Sequence, residues 1–173
     1  MENRSIILIG MPGCGKTTLG RHAARKLGFE FTDLDDEIVT KTGKSINEIF
    51  AESGETVFRE LETEVLREGL KRRKTVISTG GGIVTLPCNV RAIKESDGVC
   101  VFIDRPLDKI IGDIVTSERP LLKDGADRLR KLYSERYELY KAAADVIVIN
   151  DAGAEDAAAE ICAATHKEKE SII

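Results

Sequence analysis

The 173-residue chain has little of what makes a membrane anchor, a nucleic-acid surface, a metal-binding cluster or a disulfide frame. No stretch approaches the roughly 20 apolar residues of a membrane-spanning helix. Lys and Arg number 26 against 30 Asp and Glu, a net charge of −4 that offers no cationic surface to nucleic acid or an anionic bilayer. The one basic run, Lys71-Arg72-Arg73-Lys74, is expected to close a helix, where cations suit the dipole, and to remain solvated. Cys14, Cys88, Cys100 and Cys162 lie far apart with no C-x-x-C pair, which argues for reduced thiols in a cytoplasm rather than disulfides or a zinc site. His22 and His166 stand without partners at metal-ligand spacing. Met1-Glu2-Asn3-Arg4 runs directly into the first apolar segment and leaves no room for a signal peptide. Repeats and low-complexity tracts are absent too. A single cytoplasmic domain over residues 1–173 is expected, without membrane or nucleic-acid partners and monomeric.

What is present alternates. Apolar runs predict strands at Ser5–Ile9, Glu30–Thr32, Thr75–Ser78, Gly98–Ile103 and Asp145–Ile149, and continuous apolar runs suit a parallel sheet covered on both faces. Helical periods separate them. Leu19, Ala23, Ala24 and Leu27 mark one face, and Ile46, Ile49 and Phe50 a second, opened by a capping box of Ser45 and Glu48. Gly54 interrupts that helix before Val57, Phe58, Leu61, Val65 and Leu66 resume the period. The pattern predicts a three-layer α/β fold with a five-stranded parallel sheet. The segment Gly112–Gly125, between helices expected at Pro106–Ile111 and Asp127–Ala143, breaks the regularity and reads as a mobile lid of about 112–125 or as an ordinary surface loop.

Residues 10–17, Gly-Met-Pro-Gly-Cys-Gly-Lys-Thr, form an unbroken G-x-x-x-x-G-K-T directly after Ile6-Ile7-Leu8-Ile9. Glycines let the backbone approach phosphate oxygens closely, and a helix beginning near Lys16 presents unpaired N–H donors and positive dipole potential. Gly13, Cys14, Gly15, Lys16, Thr17 and Thr18 are therefore candidates for binding a nucleoside triphosphate, with Lys16 on the terminal phosphates and Thr17 on Mg²⁺. The Cys14 thiol is read as a small loop filler, although a helix N-terminus can lower a thiol pKa.

Downstream residues bear on the acceptor. Asp33-Leu34-Asp35-Asp36 follows the second strand, whose carboxyl end should face the ligand crevice. Asp33 is assigned to Mg²⁺ through water and Asp35 to the acceptor hydroxyl; helix capping would account for one of these acids. Gly80-Gly81-Gly82 after the third strand either admits a small substrate closely or merely makes a turn. Arg59 has Glu55 and Glu62 within one helical turn, able to orient it or simply pair with it. Arg136 lies on the stripe Leu129, Leu132, Tyr133, Leu139, Tyr140, where an anionic ligand or snorkelling from the edge would account for it.

Taken in order, these blocks resemble the shikimate kinases, small P-loop kinases related to nucleoside monophosphate kinases. Gly43-Lys44-Ser45-Ile46, Gly54-Glu55-x-x-Phe58-Arg59-x-x-Glu62, Arg119-Pro120-Leu121-Leu122 and Arg136-x-x-x-Tyr140 complete the resemblance, which spans nearly the whole chain. It implies a P-loop NTPase fold and phosphorylation of the shikimate 3-hydroxyl by ATP with Mg²⁺, in aromatic amino-acid biosynthesis. It further implies a substrate-binding region around 33–62. Asp35, Arg59, Gly80, Gly81, Gly82 and Arg136 would hold shikimate, the two arginines clamping its carboxylate. Lys16, Asp35 and Arg119 would be catalytic, with Thr17 and Asp33 serving the metal. One departure concerns adenine: the family usually carries an arginine ahead of the lid Arg-Pro, whereas residues 112–118 contain none. Backbone near Asn150–Gly153 is the expected substitute. The alternatives are a related kinase acting on a gluconate-like acceptor or a nucleotide, and a non-catalytic ATP-binding homologue.

Overall fold

The computed structural model describes residues 4–116, 122–151 and 153–166, with backbone alone at 114–116 and 122–124. Its centre is β1 (Ile6–Ile9), four residues that expose none of their surface. On one side β1 pairs with β3 (Thr75–Ser78), which pairs with β2 (Glu30–Asp33); on the other it pairs with β4 (Val99–Asp104), which pairs with β5 (Val146–Ile149). All four pairings are parallel, with Ile6 opposite both Val76 and Val99. The β1, β3 and β4 side chains are buried on both faces, as their unbroken apolar runs require. The last strand departs from that expectation. At the sheet edge Val146 and Val148 turn inward, while Ile147 and Ile149 are 46% and 63% exposed.

Helices pack around this sheet: α1 (Lys16–Leu27), α2 (Leu34–Thr42), α3 (Ile46–Gly69), α4 (Pro87–Glu95), α5 (Leu107–Thr116), α6 (Leu122–Ala143) and α7 (Ala154–Ala164). Contacts join α1 to α7, α2 to α3 and α5 to α6. The expected capping box opens α3: Ser45 accepts from the Glu48 N–H, and the Glu48 carboxylate accepts from the Ser45 N–H. Gly54 breaks the helical path at φ 79°, a left-handed value that suits glycine. On the two sides of that break, the Phe50 and Phe58 rings come within 4.6 Å.

Three expectations are corrected. The basic run does not close α3, which ends at Gly69; Arg72 and Arg73 lie in the following connection and reach Glu37 and Asp97. The stretch expected as a loop is helical at 112–116 and 122–125, because α5 continues to Thr116 and α6 already starts at Leu122. The spacing Ile110, Ile111, Ile114, Val115 carries the helical period past Gly112, and the continued period outweighs the roughly 1 kcal/mol that a helical glycine costs. Leu139 is 42% exposed and does not belong to the packed stripe of α6. Among the described residues, no helix is long and apolar enough to cross a membrane.

Candidate active site

Because the strand order reverses at β1, a crevice opens at the carboxyl ends of the central strands. The G-x-x-x-x-G-K-T turn lies there. Gly15 caps α1 at φ 99°, and neither a capping side chain nor a first-turn acid meets the leading N–H groups. Those donors and the dipole remain available to an anion. Lys16 is 8% exposed and donates to the carbonyls of Gly10 (2.8 Å) and Met11 (3.0 Å), which hold its ammonium over the loop. Gly13, Gly15, Lys16, Thr17 and Thr18 line a cleft of about 550 Å³. Cys14 is different: its side chain is fully buried, so only its backbone can meet a ligand. The Asn150 amide donates to the Cys14 carbonyl (2.9 Å) and braces the loop from the end of β5.

Asp33 has two roles at once. One carboxylate oxygen caps α2 by accepting from the Asp35 N–H (3.1 Å), and the other accepts from the Thr17 hydroxyl (2.8 Å). Capping thus accounts for one oxygen of this acid and leaves the other turned to Thr17. The Thr17–Asp33 pair supplies two hard oxygen donors beside the cleft, a set that suits Mg²⁺. Among the described residues, no cluster of three or more His, Cys, Asp and Glu forms a metal cage. Such a cage is not needed where phosphate and water complete a magnesium shell.

A second cavity, about 480 Å³, adjoins the first and is lined by Arg59, Glu62, Arg136 and Phe58, with Gly80, Gly81 and Gly82 also on its wall. Arg59 forms ion pairs with Glu62 and, at 3.2 Å, with Glu55. Arg136 takes part in no salt bridge among the described residues; its neighbour Glu135 pairs with Lys131 instead. An anion entering this cavity therefore meets one arginine committed to acids and one that is not. The glycine run makes a turn, with the Gly80 carbonyl accepting from the Ile83 N–H at 3.2 Å, and it also brings backbone close to neighbouring side chains. A Cβ at Gly82 would collide with the Arg59 guanidinium, and one at Gly80 would collide with Glu62 and come within 3.2 Å of Asp35.

Burial disturbs the acids here. Asp35 is held above the ordinary carboxyl range by desolvation and by the Asp33 charge, against the pull of Lys16 and Arg59. Glu62, 1% exposed, is likewise raised, burial outweighing its pairing with Arg59. Asp35 Oδ1 and Glu62 Oε1 are both buried without a hydrogen-bond partner. Two unsatisfied acceptors beside two arginines suit a ligand carrying hydroxyls as well as a carboxylate.

Asp35, Gly80, Gly81 and Pro12 line both cavities. The two-arginine pocket and the cleft at the phosphate loop thus meet at a carboxylate. The proposed site residues Gly13, Gly15, Lys16, Thr17 and Thr18, with Asp33, Asp35, Arg59, Gly80–Gly82 and Arg136, gather around this junction, while Cys14 lines neither cavity. Arg119 lies outside the described residues, as does the whole of 117–121 within the expected lid. Three residues beside the cavities carry no assigned role in the sequence reading: Glu62 and Tyr140 enter it as a partner for Arg59, as part of an apolar stripe and as motif positions of the resemblance, and Arg105 does not enter it.

The shikimate kinase family model matches residues 12–166. The chain belongs to the shikimate kinase family. A shikimate kinase of Clostridium botulinum (strain Eklund 17B / Type B) is 47% identical over 161 residues, covering 93% of this chain and 96% of that one. Among solved structures, the Acinetobacter baumannii shikimate kinase in complex with shikimate superposes with a TM-score of 0.84 at 39% identity, covering 91% of this chain and 90% of that one. The Aquifex aeolicus shikimate kinase gives 0.81 at 36% identity, with 93% and 95% covered. Membership makes the fold that of the P-loop kinases and the activity class that of an ATP-dependent kinase acting on an alcohol.

Proposed function

We propose that this chain transfers the γ-phosphoryl group of ATP to the 3-hydroxyl of shikimate, giving shikimate 3-phosphate and ADP. The observation that carries the reading is the junction at Asp35, where a pocket with two arginines opens onto the phosphate loop. Arg59 and Arg136 would bind the carboxylate of the acid. Guanidinium matches carboxylate through two parallel hydrogen bonds, so the pair fixes orientation as well as charge. Asp35 would accept the hydroxyl hydrogen bond with its unpartnered oxygen and take the proton as the hydroxyl oxygen bonds to phosphorus and the bond to ADP breaks. Its raised pKa favours that exchange, since a base titrating nearer the working pH holds the proton better.

Phosphoryl transfer through a loose transition state needs in-line positioning and positive charge more than covalent help. Lys16 and the α1 N-terminus would supply that charge from this side of the cleft, and Arg119 from the lid. Thr17 and Asp33 would hold Mg²⁺, which when bound neutralises charge on the β- and γ-phosphates. The Gly80–Gly82 backbone would close against the ring. The enzyme would work as a cytoplasmic monomer in aromatic amino-acid biosynthesis, with residues 1–173 as one kinase domain.

Release of ADP, measured by enzymatic coupling with shikimate, gluconate and AMP as acceptors, tests the reading. Turnover is expected with shikimate alone. Equal turnover with gluconate would mean a less selective acid kinase, and no shikimate-dependent turnover with Mg²⁺ and ATP would refute the proposal.

A further inference from the structure

Arg105 follows the carboxyl end of β4 and lines both the phosphate cleft and a neighbouring pocket of about 360 Å³. Among the described residues only Gly15 of the phosphate-binding turn and Thr18 in the first turn of α1 share that double position. The smaller pocket is also lined by Lys109, Asn150, Asp151 and Gly153, which include the region expected to receive the base. Arg105 therefore stands where a triphosphate bound in the cleft would continue into its ribose and base.

Its hydrogen bonding is incomplete. One terminal nitrogen pairs with Asp113 on α5 at 2.8 Å, but Nε is buried without a partner. Asp113 is 60% exposed, so water competes for the carboxylate and the pair is weakly held. A guanidinium with an unpaired donor, on the wall of a cleft whose turn N–H groups attract anions, gains by swinging onto a phosphate. Lys109 is less available, because it is already bonded to the carboxylate and carbonyl of Asp151.

We infer that Arg105 is a nucleotide-binding residue whose guanidinium exchanges Asp113 for the ATP phosphates on the side nearest the ribose. This rests on the reading of the cleft as an ATP site. It would offset the want of any arginine in residues 112–118, with a cation supplied from the sheet instead of the lid.

Calorimetric titration of the full chain with Mg·ATP, with magnesium tripolyphosphate and with shikimate tests the inference in the parent, R105Q, R105K and D113N. Loss of a charge-assisted contact should weaken ATP and tripolyphosphate about tenfold or more in R105Q, leaving shikimate affinity intact. R105K should fall between parent and R105Q, and D113N should bind ATP at least as tightly as the parent. Unchanged ATP affinity in folded R105Q overturns the inference. So does a loss for ATP without one for tripolyphosphate, which would move the contact to the base. A loss in D113N matching that in R105Q would make the ion pair structural and also overturn it; this arm and R105K decide the matter if R105Q does not fold. A parent that fails to bind ATP would refute the proposed function itself, a result distinct from all of these.

Discussion

The Tyr140 hydroxyl donates to the Gly81 carbonyl across 2.5 Å and ties α6 to the glycine run on the wall of the two-arginine pocket. Tyr140 is fully buried and stacks on Phe102 at 5.2 Å, and burial pushes its phenol up to about 12 even though the Arg136 guanidinium beside it pulls the other way. The hydroxyl is thus a permanent donor at neutral pH. Tyr140→Phe keeps the packing but leaves a buried carbonyl without that partner, a cost of about 1–3 kcal/mol. Urea unfolding should show that loss. Steady-state kinetics should show a raised KM for shikimate with the KM for ATP little changed. Equal damage to both substrates would mean that the bond supports the whole fold rather than the pocket wall.

Arg136 stands in the same pocket, on the helical turn before Tyr140. If it holds the acid's carboxylate, Arg136→Ala should weaken shikimate binding by on the order of 100-fold, the effect of truncating one partner of a buried charge pair. ATP affinity should hardly move. Arg136→Lys should recover only part of the loss, because an ammonium keeps the charge but not the planar fork. Titration of each ligand separately decides this. Comparable losses for ATP and shikimate would show that Arg136 is misassigned.

What could be read from the chain was local. The phosphate-binding turn is spelled by consecutive residues, and the strands of the sheet centre by unbroken apolar runs such as Ile6–Ile9, so the turn and these strands are legible without tertiary information. The Ser45–Glu48 capping box spans a single turn and was equally plain. The rest depends on contacts between distant segments. Glu62 looks like any surface acid at i+3 from an arginine until the fold removes it from water. Tyr140 meets Gly81 across 59 positions of sequence, and Arg105 becomes interesting only when the end of β4 comes alongside the phosphate-binding turn. Gly112 and Gly125 misled in the opposite direction: their chemistry suggests a break, while the helices on either side absorb them.

The absence of a side chain at Gly82 should be as consequential as any charged group nearby. A methyl there meets the Arg59 guanidinium head-on, and that guanidinium is already drawn in by the buried Glu62. The arginine must swing away, because the glycine is fixed between its neighbours in the run. Gly82→Ala should therefore raise the KM for shikimate by about tenfold or more, a loss comparable to that of one charge-assisted contact. The phosphate cleft is lined by Gly80 and Gly81 rather than Gly82, so ATP binding should persist. Crystals of the variant should show Arg59 displaced; an unmoved Arg59 with unchanged shikimate KM would sink the argument.

Asp35 should trade stability for activity. Its carboxyl binds a proton more tightly in the folded chain than in the unfolded one, because burial and Asp33 disfavour the charge. The resulting stability is fully present below the ordinary value of 3.8 and is lost as pH rises through the raised one. Asn at this position has no proton to lose. Asp35→Asn should therefore match the parent near the acid end of the accessible range and become more stable than it toward neutral pH. Denaturant unfolding across that range, without ligands, measures the gap. The same variant should lose about 10²–10⁴-fold in kcat if Asp35 takes the hydroxyl proton. A neutral-pH stability no greater than the parent's would show that the folded environment does not penalise the charge, and with it would go the reason for expecting a raised base at the meeting point of the two cavities.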